Sequence, residues 1–264
     1  MALELRVFII DAFTAKAFGG NPAAVVLLPA SHSLNDSALQ QIASELNQPM
    51  TAFLQPSGAD YTLQWFNART KGRVLMLDLP VTTLHSPVGA LEISRRDELL
   101  TLRLPSSLSE EVHGEKYQKV LQAFMGGRLP TTATVSFHYA QAVNDLVVLI
   151  EGIDEAVLRA CSLTQEFAAA SQALGVRAVT FAVPGTDYDS LARVFHAGAV
   201  PDEDQVTGSA HTIIAPLFHK RFGKSTLRAL QCSERGGELL LELSDDHVLV
   251  SGTAVTVLEG KLTV

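Results

Sequence analysis

The sequence predicts an α+β protein in which β-sheet curls around helix, and three observations carry that reading. Short apolar runs bounded by Gly, Pro, Asn and Asp recur along the chain, segments of helical period are few, and one of those few has no clean polar face. A helix that is apolar on nearly all sides has to be wrapped. The many strands are what the chain has to wrap it with.

In chain order, the first strands fall at residues 5–10 and 23–28. Residues 36–47 then show the clearest helical period, with Leu39, Ile42, Ala43 and Leu46 on one face and Asn35 placed to cap the free amides. Strands follow at residues 61–66, 73–79 and 99–104. A second helix, residues 114–125, is closed by Gly126 and Gly127, and strands return at 134–139 and 146–150. A third helix at 164–174 turns Phe167 and Leu174 inward, with Gly175 as its C′ residue, before a strand at 178–183. Gly208–Phe222, GSAHTIIAPLFHKRF, is the all-round apolar helix, and strands at 239–243 and 254–258 complete the chain. The Pro/Ser-rich piece 104–109 is the candidate hinge. It divides an N-terminal lobe, residues 1–108 together with a returning terminal strand from 252 to 264, from a C-terminal lobe of residues 109–251.

Composition narrows the function classes. Twenty Lys and Arg stand against 28 Asp and Glu, a net charge of −8 with no basic run, so neither nucleic acid nor a membrane surface is an expected partner. The apolar runs are far too short to cross a bilayer, and the N-terminus reads as a strand rather than a signal peptide. A cytosolic protein is expected. The two cysteines, Cys161 and Cys232, lack a CxxC or ligand companion and read as buried thiols, so no metal is expected.

Chemistry concentrates in residues 201–211, PDEDQVTGSAH, where three carboxylates (Asp202, Glu203, Asp204) precede a Thr-Gly-Ser turn opening the apolar helix. Helix N-termini present free amides and partial positive charge, so Gly208, Ser209 and Ala210 can hold a carboxylate or a developing oxyanion. Asp204 is placed to act as proton acceptor or donor beside it. The competing reading is an acidic loop before an ordinary helix capped by Ser209 or Thr207, with His211 a packed residue of the first turn. A second candidate, FGGNPA at residues 18–23, is a tight turn in which Asn21 bonds a ligand or its own backbone. It lacks the glycine spacing of a dinucleotide or triphosphate cradle.

The stretches FIIDAFTAKAFGGNPAAVVLL, IASELNQPMTAFL, QWF, EDQVTGSAHTIIAPLF, LQCSERGGELLLEL and SGTAVTVLEGKL together resemble the PhzF-like family of phenazine-biosynthesis proteins, including its animal branch. The resemblance implies a diaminopimelate-epimerase-like fold: two similar lobes, each a curled sheet or barrel around a central helix, with a cleft between them. It also implies an isomerase without metal or coenzyme that acts on a small anionic substrate, and a homodimer as a possible assembly. On this pattern Asp204 is the catalytic acid or base, and Asn21, Gly208, Ser209 and His211 bind substrate. Thr207 belongs to the anion-binding turn, and Gln205 replaces a usual proline.

Two departures stand out. The family's catalytic glutamate falls on Met50, whose thioether cannot carry a proton, and Glu45 lies about a turn and a half away on the preceding helix. After Phe66 the family's Cys-Gly-His turn and the helix behind it are absent. The replacement contains Asp78, Pro80, His85 and Pro87, and rejoins the pattern at about residues 82–96. Losing a general acid or base costs on the order of a hundred- to ten-thousandfold in rate, so altered chemistry or none is expected from the first lobe. A catalytically impaired relative that keeps a ligand-binding or interaction role is the alternative. A barrel without its filling helix would carry a cavity costing several kcal/mol, as in a damaged or alternatively spliced product.

Overall fold

The computed structural model describes residues 2–67, 83–86, 89–198 and 202–264. Contacts divide the chain into two compact units, Met1–Arg103 with Ser251–Val264, and Leu104–Val250. The strand expected at 73–79, together with Asp78 and Pro80, lies outside the described residues.

In the first unit β1 (Glu4–Ala12) pairs antiparallel with β2 (Asn21–Leu27). Along its other edge runs the C-terminal strand, Ala254–Thr263 (β17), from Glu4 opposite Thr263 to Ala12 opposite Ala254. After α1 (Asp36–Leu46), β3 (Met50–Ser57) lies parallel to β2, and β4 (Asp60–Phe66) turns back on β3. β5 (Thr83–Ser86), β6 (Gly89–Arg96) and β7 (Leu99–Pro105) extend the sheet. Register sorts the side chains. Leu5, Val7, Val26, Phe53 and Phe66 share the face that receives Leu39, Ile42 and Ala43 of α1. The opposite face, with Ile10, Val25, Ala52, Leu54, Leu63 and Trp65, is buried as well.

The second unit opens with β8 (Glu110–Val112) and α2 (Glu115–Met125). The order continues with β9 (Thr134–Ala140), β10 (Asp145–Glu151), α3 (Glu155–Ala160), α4 (Gln165–Gln172), β11 (Ala178–Pro184) and β12 (Ser190–His196). It closes with β13 (Asp202–Asp204), α5 (Gly208–Phe222), β14 (Thr226–Gln231), β15 (Gly237–Ser244) and β16 (His247–Gly252). β10 and β11 are parallel, β11 and β12 antiparallel, and β12 carries β13 and β14. The interior strands β10–β12 are buried on both faces, which is why they read as continuous apolar runs rather than alternating ones. One face presents Val148, Phe181 and Phe195 to Phe124 of α2 and Phe167 of α4, with the Phe124 and Phe181 rings stacked at 3.7 Å between centroids. The other face offers small side chains, and Ala178 and Val194 receive Ala210 of α5. Small residues on both sides let the helix seat close to the sheet.

Local expectations meet the structure with small differences. Asn35 caps α1 through Ala38 N at 3.0 Å, and the αL glycine Gly126 closes α2. The third expected helix ends earlier, at Gln172 with Ala173 as its C-cap, so Gly175 lies one position beyond C′. The strands β5, β6, β8, β12, β13, β14 and β16 and the helix α3 escaped the sequence reading because a short segment gives no decisive period. Among the described residues no helix is long and apolar enough to cross a membrane, and no group of three His, Cys, Asp or Glu is placed to hold a metal.

Candidate active site

Strand pleat decides what the acidic triplet can do. On β13, Asp202 and Asp204 point to the α5 face and Glu203 to the opposite one. There Glu203 is held by Arg193, whose Nε and Nη2 donate to its two oxygens at 2.7 and 2.8 Å. Arg193 Nη1 also donates to the Leu158 and Cys161 carbonyls, and its guanidinium lies 5.1 Å from the Phe195 ring centroid. Glu203 is thereby committed to structure, and Asp204 remains for chemistry.

The Asp204 side chain is 19% exposed, with Oδ2 accepting the Thr207 hydroxyl at 2.5 Å and lying 3.9 Å from His196 Nε2. Thr207 occupies the N-cap of α5 yet makes no side-chain cap bond: its hydroxyl is turned to donate to Asp204, and its oxygen accepts from Gln231 Nε2 at 3.3 Å instead of from a helix amide. Gln231 of β14 fixes the loop from behind. Its Oε1 accepts from Thr207 N at 2.8 Å while its Nε2 donates to the Asp204 carbonyl at 2.6 Å. The amides of Gly208 and Ser209 have no hydrogen-bond partner among the described residues, so the N-terminus of a 15-residue helix is left open beside a carboxylate. Such an end carries roughly half a positive charge.

Two further groups border the turn. Asp145 and His196 lie opposite the same residue, Ala178, and so share the α5 face with Asp204. Arg177 Nη2 reaches both the buried Asp145 carboxylate and, at 3.2 Å, Ser209 Oγ. Burial raises the Asp145 carboxyl above its ordinary value, and Arg177 pulls it back.

His211 is fully buried. Its Nδ1 donates to the Thr207 carbonyl at 2.9 Å, and Nε2 has no hydrogen-bond partner among the described residues. Desolvation lowers its pKa to about 4, so the ring is neutral and braces the turn. Asn21 belongs to the other unit, where it opens β2 opposite Ala12. Beside it Gly20, at φ +60°, would place a Cβ 2.0 Å from the Ala12 carbonyl oxygen, so the glycine is required by the turn itself. Met50 begins β3 next to Ala23, Glu45 is exposed on α1, and His85 Nε2 faces Asp60 across 3.3 Å. Cys161 and Cys232 are buried free thiols, the latter with its pKa pushed up to about 11 by burial.

Asp204, Thr207, Gly208 and Ser209 were contiguous in sequence, and the structure keeps them together. Arg177, Asp145, His196 and Gln231 were missed, since each reaches the turn from a separate strand or strand end and no local spacing marks them. Among these, only Gln231 lay in a stretch quoted for the resemblance, the run LQCSERGG.

The architecture is an α+β fold of epimerase-like, two-lobed type. A hydroxyproline epimerase of Agrobacterium vitis shares that fold, at a TM-score of 0.61 and 10% identity over 98% of this chain and 91% of that one. The chain belongs to the PhzC-PhzF family of phenazine biosynthesis-like proteins, whose model matches residues 10–71 and 73–260. The break at residue 72 falls in the stretch after Phe66 where the sequence departs from the family pattern. An uncharacterized isomerase of Halalkalibacterium halodurans is 32% identical over 97% of both chains. The mouse phenazine biosynthesis-like domain-containing protein 2 is 33% identical, over 99% of this chain and 100% of its own. That alignment runs over 296 positions against 264 residues here, so the mouse protein carries residues with no counterpart in this chain. The solved PhzF-family protein of Enterococcus faecalis superposes with a TM-score of 0.84, at 27% identity over 98% of this chain and 99% of that one.

Proposed function

We propose that this chain is a cofactor-independent isomerase that relocates a proton on a small carboxylic acid, with Asp204 as its acid/base. The observation that carries the reading is the Asp204 carboxylate, steadied by Thr207, beside the unengaged amides of Gly208 and Ser209. Relatives named as isomerases support the reaction class. Asp204 removes a proton from the carbon next to an acidic or conjugated group, and the charge that develops on the substrate's oxygen is met by the helix amides. With a thioether at Met50, Asp204 also returns the proton, to a second carbon on the same face. Inversion at a single carbon would need a second group on the opposite face, so a proton shift is favoured over racemisation.

The test is proton NMR of β,γ-unsaturated and 2-amino acids incubated with the protein in D₂O. Deuterium is expected to enter an unsaturated acid, with Asp204→Asn slowing entry on the order of a hundred- to ten-thousandfold. Exchange that survives Asp204→Asn overturns the assignment. Met50 motivates the second reading, a relative that binds small carboxylates without turning them over. Stabilisation by carboxylates with no exchange at any carbon would select it.

A further inference from the structure

We infer that Arg177 is a specificity-determining residue of this site, and that with Ser209 and the α5 amides it selects a monoanionic carboxylate over a phosphate. The inference rests on the proposed isomerase site and names what binds there.

Three contacts hold the guanidinium by one side. Nη2 donates to Asp145 and, at 3.2 Å, to Ser209 Oγ, while Nε lies 3.4 Å from the Val143 carbonyl. Nη1 has no partner among the described residues, and the side chain is 36% exposed. Arg177 is therefore pinned at the turn with donors to spare. The Ser209 hydroxyl oxygen is occupied as an acceptor from Arg177, which leaves its proton to be given away. Thr212 Oγ1 donates to the Ser209 carbonyl at 2.7 Å and steadies the same residue. A ligand oxygen at the helix end thus meets the amides of Gly208 and Ser209, the Ser209 O–H and Arg177 Nη1. Four donors on one small group match a carboxylate, which accepts at two oxygens.

Charge decides which anion enters. Arg177 and its buried partner Asp145 cancel, the helix end contributes roughly +0.5, Asp204 adds a full negative charge, and Asp202 on the same face is exposed, so solvent screens it. The sum is about −0.5 with a neutral His196 and about +0.5 with a protonated one. A carboxylate bearing one charge is tolerated in either state. A phosphate carrying about −1.5 to −2 meets Asp204 without enough compensation.

The test uses the full-length protein and amide NMR, which reads Gly208 and Ser209 individually. Butyrate is expected to shift both amides in a saturable way, and inorganic phosphate at the same ionic strength is expected to bind at least tenfold more weakly. Asp145→Asn combined with Arg177→Gln removes both charges together, avoiding a stranded buried carboxylate. It should weaken butyrate binding by roughly tenfold or more, with the rest of the spectrum confirming the fold. Arg177→Lys keeps the charge but loses the fork, and should fall between the two. Butyrate binding unchanged in the double variant overturns the role of Arg177, while the Asp204-dependent exchange can still stand. Phosphate binding as tight as butyrate overturns the charge argument. Carboxylate binding through Arg177 without exchange at any carbon leaves this inference intact and removes the catalytic reading.

Discussion

The N-termini of α1 and α5 begin alike, each from a residue type that favours helix caps, and end differently. Asn35 turns its side chain inward and accepts from Ala38 N, closing the end of α1. Thr207 turns its hydroxyl outward to Asp204, and the first amides of α5 stay open. A capping residue satisfies the helix only when its oxygen is turned toward the helix amides. At α5 the hydroxyl is turned away to donate to a carboxylate, a hydrogen bond worth about twice a neutral one, and its oxygen takes Gln231 Nε2 instead. The cap lost there is what makes the end of α5 available to a ligand.

The contrast breaks most severely through the anchor of the strand that bears Asp204. Arg193→Met strands the Glu203 carboxylate and two carbonyls, and about 3–5 kcal/mol of stability should disappear in a urea titration. A milder loss, or none, would show that Glu203 is not the tie that holds β13.

Next in size is a pH effect at His211. The folded ring stays neutral down to about pH 4, whereas the unfolded chain's imidazole protonates near 6.5, so the unfolded chain binds more protons between those values. The contribution is fully present above pH 6.5 and is lost as pH falls to 4, about 3 kcal/mol in all. Urea midpoints at pH 7.5 and 4.5 measure it, and His211→Gln should flatten the slope relative to the parent.

Thr207→Val removes the hydroxyl from Asp204 and should cost about 2 kcal/mol, with Thr207→Ser recovering most of it. Equal stabilities for the valine and serine variants would mean that the hydroxyl is not engaged as described. The smallest effect belongs to α1, where Asn35→Ala should lower stability by about 1 kcal/mol and leave butyrate shifts at Gly208 and Ser209 untouched. A change in those shifts would break the division between a closed structural end and an open functional one.

Much of this is legible in the sequence alone. The helices at α1, α2 and α5 follow from period, caps and glycines that act within a few residues, and so do the apolar strands at the centre of each unit. The turn holding Asp204, Thr207, Gly208 and Ser209 was visible because it is contiguous. The acidic triplet, by contrast, reads as three equivalent carboxylates until β13 pairs with β12 and the pleat sends Glu203 to Arg193 and Asp204 to α5. His211 reads as a polar residue of a helix's first turn, and only enclosure by the sheet makes it a neutral buried brace.

By itself the sequence determined the local elements, the contiguous turn and the presence of a thioether where the family pattern has a glutamate. Those are properties of neighbours along the chain. The tertiary structure alone decided that Arg177, Asp145 and His196 stand at that turn, and that Thr207 serves Asp204 rather than its own helix. Pairing of distant strands sets those positions, and no spacing within the sequence encodes where a carboxylate will meet a cation on another strand or strand end.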